Sequence, residues 1–274
     1  MSLQEFLLFT PEAFVVTNSI QSSASYQTLK FSYTGGFWYN VLIYAAMFVL
    51  LTTGYSVQLF QKLIPTLKVA QDKDIGNFIC QVTGTVNCFY ISLTSVVAIW
   101  KLYYTGNFVD GVSLFTSICQ MMIGYLLVDT VYKILYTGQS PMWVLGHHVA
   151  AFAVTILAAL DSNYLMEKYL LCLMECSNPF INMRIVLSIL SYSKNTVVYK
   201  ANGLLMTGSF LVARVLPSFY FIPRGLFILT YMDNYKYFQA VMFLCYLVIS
   251  AMNFYWFYRM VRGIYVALRK GKIE

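Results

Sequence analysis

Apolar residues fall along this chain in blocks about twenty residues long, separated by short polar turns, with no strand-like alternation between them. Crossing a bilayer core of roughly 30 Å takes about 20 helical residues. Seven segments meet that length and predict transmembrane helices: Gly36–Phe60, Phe78–Lys101, Ser113–Tyr136, Trp143–Leu160, Met166–Leu190, Val198–Ile222 and Lys236–Met260. Turn chemistry marks their borders at Ile64-Pro65, Asp74–Asn77, Thr105–Asn107, Gly138–Pro141, Asp161–Asn163 and Pro223–Gly225. The connections are too short for an inserted soluble domain. The organisation expected is a segment 1–35 outside the bundle, a seven-span membrane domain over 36–260 and a basic tail over 261–274.

Composition agrees with lipid as the main solvent: 59% of the 274 residues are hydrophobic and 11% charged, with a mean hydropathy of +0.65. A soluble domain carries about 25% charge. Disorder, nucleic-acid binding and an ordinary cytosolic enzyme are thereby excluded. The net charge of +7 lies between and after apolar blocks, where it reads as contacts to anionic lipid and as topology signals. One side of the membrane receives Lys62, Lys68, Lys73, Lys194, Lys200, Arg259, Arg262, Arg269, Lys270 and Lys272. The other receives Lys30, Lys101, Lys168, Arg224 and Lys236. Ten against five puts the C-terminus in the cytosol and the N-terminus in the lumen.

The first 20 residues are not a signal peptide, because Glu5 and Glu12 stand where a basic region is needed; they are expected in the membrane interface. At the other end, Lys270 and Lys272 are fifth and third from the terminus, a spacing that resembles the dilysine signal for retrieval to the endoplasmic reticulum. Six cysteines, Cys80, Cys88, Cys119, Cys172, Cys176 and Cys245, lie inside predicted spans and read as small packing residues rather than a disulfide framework.

An ionisable side chain in lipid costs several kcal/mol unless it faces the protein interior, so each is a candidate for function. The spans hold Asp129 and Lys133 (third), His147 and His148 (fourth), Glu175 and Arg184 (fifth) and Arg214 (sixth), joined by the amides Asn178, Asn182, Asn202 and Asn253. Counted from the predicted cytosolic ends, Asp129 and Asn253 are seven residues deep, roughly 10 Å, and the two histidines roughly 6–8 Å. One polar layer in the cytosolic third is therefore expected from Asp129, His147, His148 and Asn253, with Glu175 deeper.

The fifth span carries the most specific local pattern, Glu175-Cys176-Ser177-Asn178-Pro179-Phe180-Ile181-Asn182-Met183-Arg184. Glu175, Asn178 and Asn182 are i, i+3 and i+7 and share a face. Pro179 has no N–H, which releases the Glu175 carbonyl from its helical bond, so a kinked helix should present that carbonyl, a carboxyl and two amides to one cavity. Arg184 points away and is expected to snorkel to the interface. Asp129 and Lys133, at i, i+4, can neutralise each other. Adjacent histidines diverge by about 100°, so one of His147 and His148 is expected to react and the other to support it. No ligand spacing for a metal is present. A retinal protein would need a lysine in the last span, which has none between Tyr237 and Tyr258, and a fatty-acid elongase would need a His-x-x-His-His box.

At these residues the chain resembles the TLC-domain family, which includes ceramide synthases and the translocon-associated TRAM proteins. The matching blocks are Gly124–Asp129, Gly146-His147-His148, Glu175–Arg184, Asn202–Thr207 with Arg214, and Met252–Trp256 ending in Arg262-Gly263. The likeness runs from about residue 37 to 268, with the TLC domain at about 68–268, and is greatest to the TLC domain-containing protein 4 branch. The resemblance implies an all-α bundle in which six helices enclose a lipid-sized cavity, with one peripheral helix. Ceramide synthases use a histidine of the paired motif and acidic residues of the next helix to transfer an acyl group from acyl-CoA. By that resemblance His147 or His148 would be nucleophile or base, with Asp129 and Glu175 as carboxyl partners. The ceramide synthase pattern His-Asp-x-x-Asp is here Glu175-Cys176-Ser177-Asn178, with one carboxyl.

Two functions follow as expectations. In the first, the protein binds a lipid or acyl chain in the cavity, through Asn178, Asn182, Arg214, Asn253 and Trp256, and influences membrane lipid composition or trafficking. In the second, it is an acyltransferase taking long-chain acyl-CoA. Membrane lipids are the expected partners and no cofactor is implied.

Overall fold

The computed structural model describes residues 39–50, 54–64, 72–105, 108–134, 142–160, 165–231 and 236–270. Every regular element among them is helical, as the twenty-residue apolar blocks demand, because a lipid-embedded backbone must satisfy its N–H and C=O groups within each segment. In chain order the helices are α1 (Tyr39–Leu50), α2 (Gly54–Leu63), α3 (Asp72–Thr105), α4 (Phe108–Tyr132), α5 (Met142–Leu160), α6 (Leu165–Cys172), α7 (Asn178–Ile189), α8 (Val197–Phe210), α9 (Leu216–Tyr231) and α10 (Lys236–Lys270). A 3₁₀ turn, Leu173–Ser177, joins α6 to α7, and a π turn, Leu211–Val215, joins α8 to α9.

Five continuous stretches are long and apolar enough to cross a membrane: Asp74–Thr105, Val112–Tyr132, Glu167–Ile189, Val197–Phe227 and Ala240–Val266. The first and fourth expected spans correspond to shorter apolar helices, Tyr39–Leu50 and Val144–Ala159. The protein is an all-α, multi-pass membrane protein.

Six of these elements close into a ring. α3 packs on α4, α4 on α5, α5 on α10, α10 on the α8–α9 span, that span on α6–α7, and α6–α7 back on α3. α1 stands outside it against α4, where Asn40 reaches Gln120 (3.4 Å) and Phe48 meets Tyr125 edge-on at 5.3 Å. Gly124 of α4 makes that approach possible, since a Cβ there would lie 2.9 Å from the Ala45 backbone nitrogen. One half of the apolar core is built from Ile91, Ile118, Cys119, Ile123, Phe115 and Tyr169.

Two expected turns are helix. Asp74–Asn77 lies within α3 and Pro223–Gly225 within α9. The glycines there serve close packing instead of chain reversal. A Cβ on Gly76 would collide with the Tyr132 hydroxyl, and one on Gly225 would sit 2.3 Å from the Phe243 ring. Small residues at helix contacts are the usual means of close approach in membranes. The seventh span also runs past Met260, as α10 continues to Lys270. The expected segment 1–35 and Lys272 lie outside the described residues, and Lys270 is the last of them.

Candidate functional site

The centre of the ring's polar structure is Arg214, 3% exposed, on the π turn between α8 and α9. Its Nε donates to the Met174 carbonyl (3.1 Å) and to Ser177 Oγ (2.8 Å). Nη2 donates to Asn178 Oδ1 (2.8 Å) and lies 3.6 Å from Glu175 Oε1, while Nη1 donates to Asn253 Oδ1 (3.3 Å). Glu175 is held in turn by Asn178 Nδ2 (2.6 Å) and the Cys88 thiol (3.2 Å), both donating to Oε2. One guanidinium fork thus ties the fifth, sixth and seventh spans together, and Glu175 extends the tie to the second.

Two irregular turns create the geometry. Pro179 cannot donate to Glu175, as the sequence implies, but the Glu175 carbonyl is not left free. The Asn178 N–H takes it in a tightened 3₁₀ bond. That shift frees the carbonyl one residue earlier, Met174, for the Ser177 hydroxyl (3.0 Å) and Arg214. The expectation of a free Glu175 carbonyl is corrected accordingly. Opposite it, the Leu216 N–H bonds Leu211 O, the wider π spacing, and Ser218 Oγ takes the Arg214 carbonyl at 2.8 Å. π turns of this kind concentrate at functional positions.

The polar layer expected from Asp129, His147, His148 and Asn253 is divided. Asn253 Oδ1 accepts from Arg214 Nη1 (3.3 Å). It belongs with Arg214. Asp129, 4% exposed, stays nearer the end of α4, where Lys133 Nζ contacts its Oδ2 at 2.6 Å. His148 turns to the same oxygen, Nε2 to Oδ2 3.5 Å, and its Nδ1 meets Thr130 Oγ1 at 2.8 Å. Both ring nitrogens of His148 are therefore engaged. His147 leans the other way, edge-on to Trp256 at 5.0 Å, and its Nδ1 is buried without a hydrogen-bond partner.

The other sequence candidates have structural attachments. Asn182 donates to Thr85 Oγ1 (3.1 Å) across the α7–α3 contact, and Asn202 to the Phe180 carbonyl (3.0 Å). Arg184 does not snorkel: it stacks over the Tyr199 ring at 4.2 Å and donates to the Tyr199 carbonyl at 3.4 Å. Lys168, read as a topology charge, is 4% exposed and donates to the Ala158 carbonyl at 3.1 Å.

Four residues that matter here escaped the sequence reading. Ser177, Cys88 and Thr130 carry no charge and look like packing residues until their partners are known. Asn87 could have been found, as an amide inside an apolar span. It is 1% exposed with neither amide atom bonded, and Asn253 Nδ2 is likewise buried and unbonded. Among the described residues no group of three His, Cys, Asp or Glu side chains is arranged to hold a metal ion.

The sequence model of the TLC domain matches residues 36–262. TLC domain-containing protein 4 A of Dictyostelium discoideum is 26% identical over 181 residues, covering 63% of this chain and 67% of that protein. TLC domain-containing protein 4-B of Xenopus laevis is 28% identical over 160 residues, 55% of this chain and 60% of its own length. The chain thus spans about two thirds of the length of these relatives. With the match reaching from α1 into α10, this multi-pass membrane protein belongs to the TLC-domain family.

Proposed function

We propose that the chain serves lipid homeostasis by holding a lipid or acyl chain within its helix ring, and that it thereby influences membrane lipid composition or trafficking. The observation that carries this reading is the Arg214 layer: a charged, hydrogen-bonded cluster inside the ring, with the Asn253 amide nitrogen buried and unspent beside it. A buried amide without a partner costs on the order of 1–3 kcal/mol, and a ligand oxygen would remove that cost. Trp256 lies one turn along α10 from Asn253, and the His147 ring packs against it. Residence in the endoplasmic reticulum, with the C-terminus cytosolic, belongs to this reading and rests on the charge asymmetry and on Lys270 and Lys272.

The test is native mass spectrometry of the purified full chain. Wild type should retain a lipid at near one-to-one stoichiometry, and Asn253→Leu should lose most of it while remaining monodisperse. Equal retention in both, or no retained lipid, contradicts the reading.

A second reading is acyl transfer from acyl-CoA, favoured by the carboxylate–imidazole approach of Asp129 to His148. In that chemistry His148 is the positioned partner and His147, with its unspent nitrogen, the acyl acceptor. Incubation with acyl-CoA should then give an intact-mass gain that survives His148→Gln in reduced amount and vanishes in His147→Ala. No gain in wild type rejects it.

A further inference from the structure

The α10 sequence from Tyr255 to Arg269 contains Tyr-x-x-x-Arg three times: Tyr255 with Arg259, Tyr258 with Arg262, and Tyr265 with Arg269. At 3.6 residues per turn all six side chains fall within about 120° of the helix circumference. All six are exposed, with Tyr258 at 60% and Tyr265 at 52%. The stripe is thus unrelated to the buried face of α10 that carries Asn253. Arg269 stacks over the Tyr265 ring at 4.5 Å and Arg259 over Tyr255 at 5.9 Å. A Cβ on neighbouring Gly263 would meet nothing within 4 Å, so the face is open.

Charge along the stripe's own segment has a single sign. No Asp or Glu occurs from Asn234 to Ile273. The contacts Arg214–Asn253 and Ser218–Ser250 set the α8–α9 span antiparallel to α10. They bring the exposed Lys194 and Lys200 to the same end of the ring. The stripe also straddles the end of the apolar stretch Ala240–Val266, which is headgroup depth, where tyrosines of membrane proteins gather. An arginine laid on an aromatic ring keeps its planar fork oriented, and that fork matches a phosphate with two parallel N–H donors.

We propose that this stripe is a headgroup site for anionic phospholipid of the surrounding leaflet. The arginine forks take phosphate oxygens and the tyrosine hydroxyls donate alongside them. The site is independent of any lipid held inside the ring.

The test uses the detergent-purified full chain in native mass spectrometry, with phosphatidylserine and phosphatidylcholine of identical acyl chains at equal concentration. Wild type should favour phosphatidylserine, each arginine contributing about fivefold. Arg262→Gln with Arg269→Gln should reduce the preference by at least about tenfold, with the melting temperature unchanged because both side chains are exposed. Arg262→Lys with Arg269→Lys keeps the charge and removes the fork, and should also lower the preference. No preference in wild type, an undiminished preference in the glutamine variant, or full retention by the lysine variant each overturns the proposal.

Discussion

Two ion pairs among the described residues of the ring differ in almost every physical respect. Asp129 and Lys133 are one turn apart on a single helix, and the lysine side chain keeps 27% of its exposure. Arg214 and Glu175 come from different spans, are 4% and 16% exposed, and are joined by two amides, a hydroxyl, a thiol and a backbone carbonyl. The first pair could form in an isolated helix; the second exists only when the ring is assembled. It follows that the Arg214 layer fixes how the spans pack. The Asp129 pair adds little to packing and leaves its carboxylate close to an imidazole.

That contrast can be broken by substitution. Removing Arg214 with Arg214→Met strands the Glu175 carboxylate and four other polar groups, and should cost about 3–5 kcal/mol, read as a large drop in thermal stability in detergent. Pro179→Ala offers a gentler cut. It restores an N–H that can bond the Glu175 carbonyl, returns the Met174 carbonyl to the helix, and takes an acceptor from Arg214. Stability should fall by about 1 kcal/mol, although the same change in an ordinary helix would stabilise it. The smallest effect on stability is expected from Asp129→Asn, about 0.5 kcal/mol, since its partner is part-exposed and one turn away. If acyl transfer occurs, however, that variant should lose most of the acyl adduct, because His148 loses its carboxylate. A stability loss for Asp129→Asn as large as that for Arg214→Met would erase the distinction between the two pairs.

The spans were legible in the sequence because a bilayer imposes one length on every crossing element, and the approximate place of all seven blocks follows from that. Their ends were not. Pro223 and Gly225, and Asp74 to Asn77, carry turn chemistry, yet tertiary packing overrides it where Phe243 and Tyr132 need the space of a glycine. The shared face of Glu175 and Asn178 was legible from helical spacing and both join Arg214. Which carbonyl Pro179 frees was not, because the answer depends on a 3₁₀ tightening that requires an arginine from another helix. Lys168 shows that a lysine near a span end can be buried rather than displayed.

The proposed function places lipid inside the ring, against the Arg214 layer. Photo-crosslinking tests it most directly: incorporate a lipid with a diazirine near its headgroup, irradiate, digest, and map the adducts by mass spectrometry. Adducts on the inward positions Asn253, Trp256 and His147, lost in Asn253→Leu, are the predicted result. Adducts confined to outward positions such as Leu93, Phe219 and Leu244, which are all exposed on the outer surface, would contradict it.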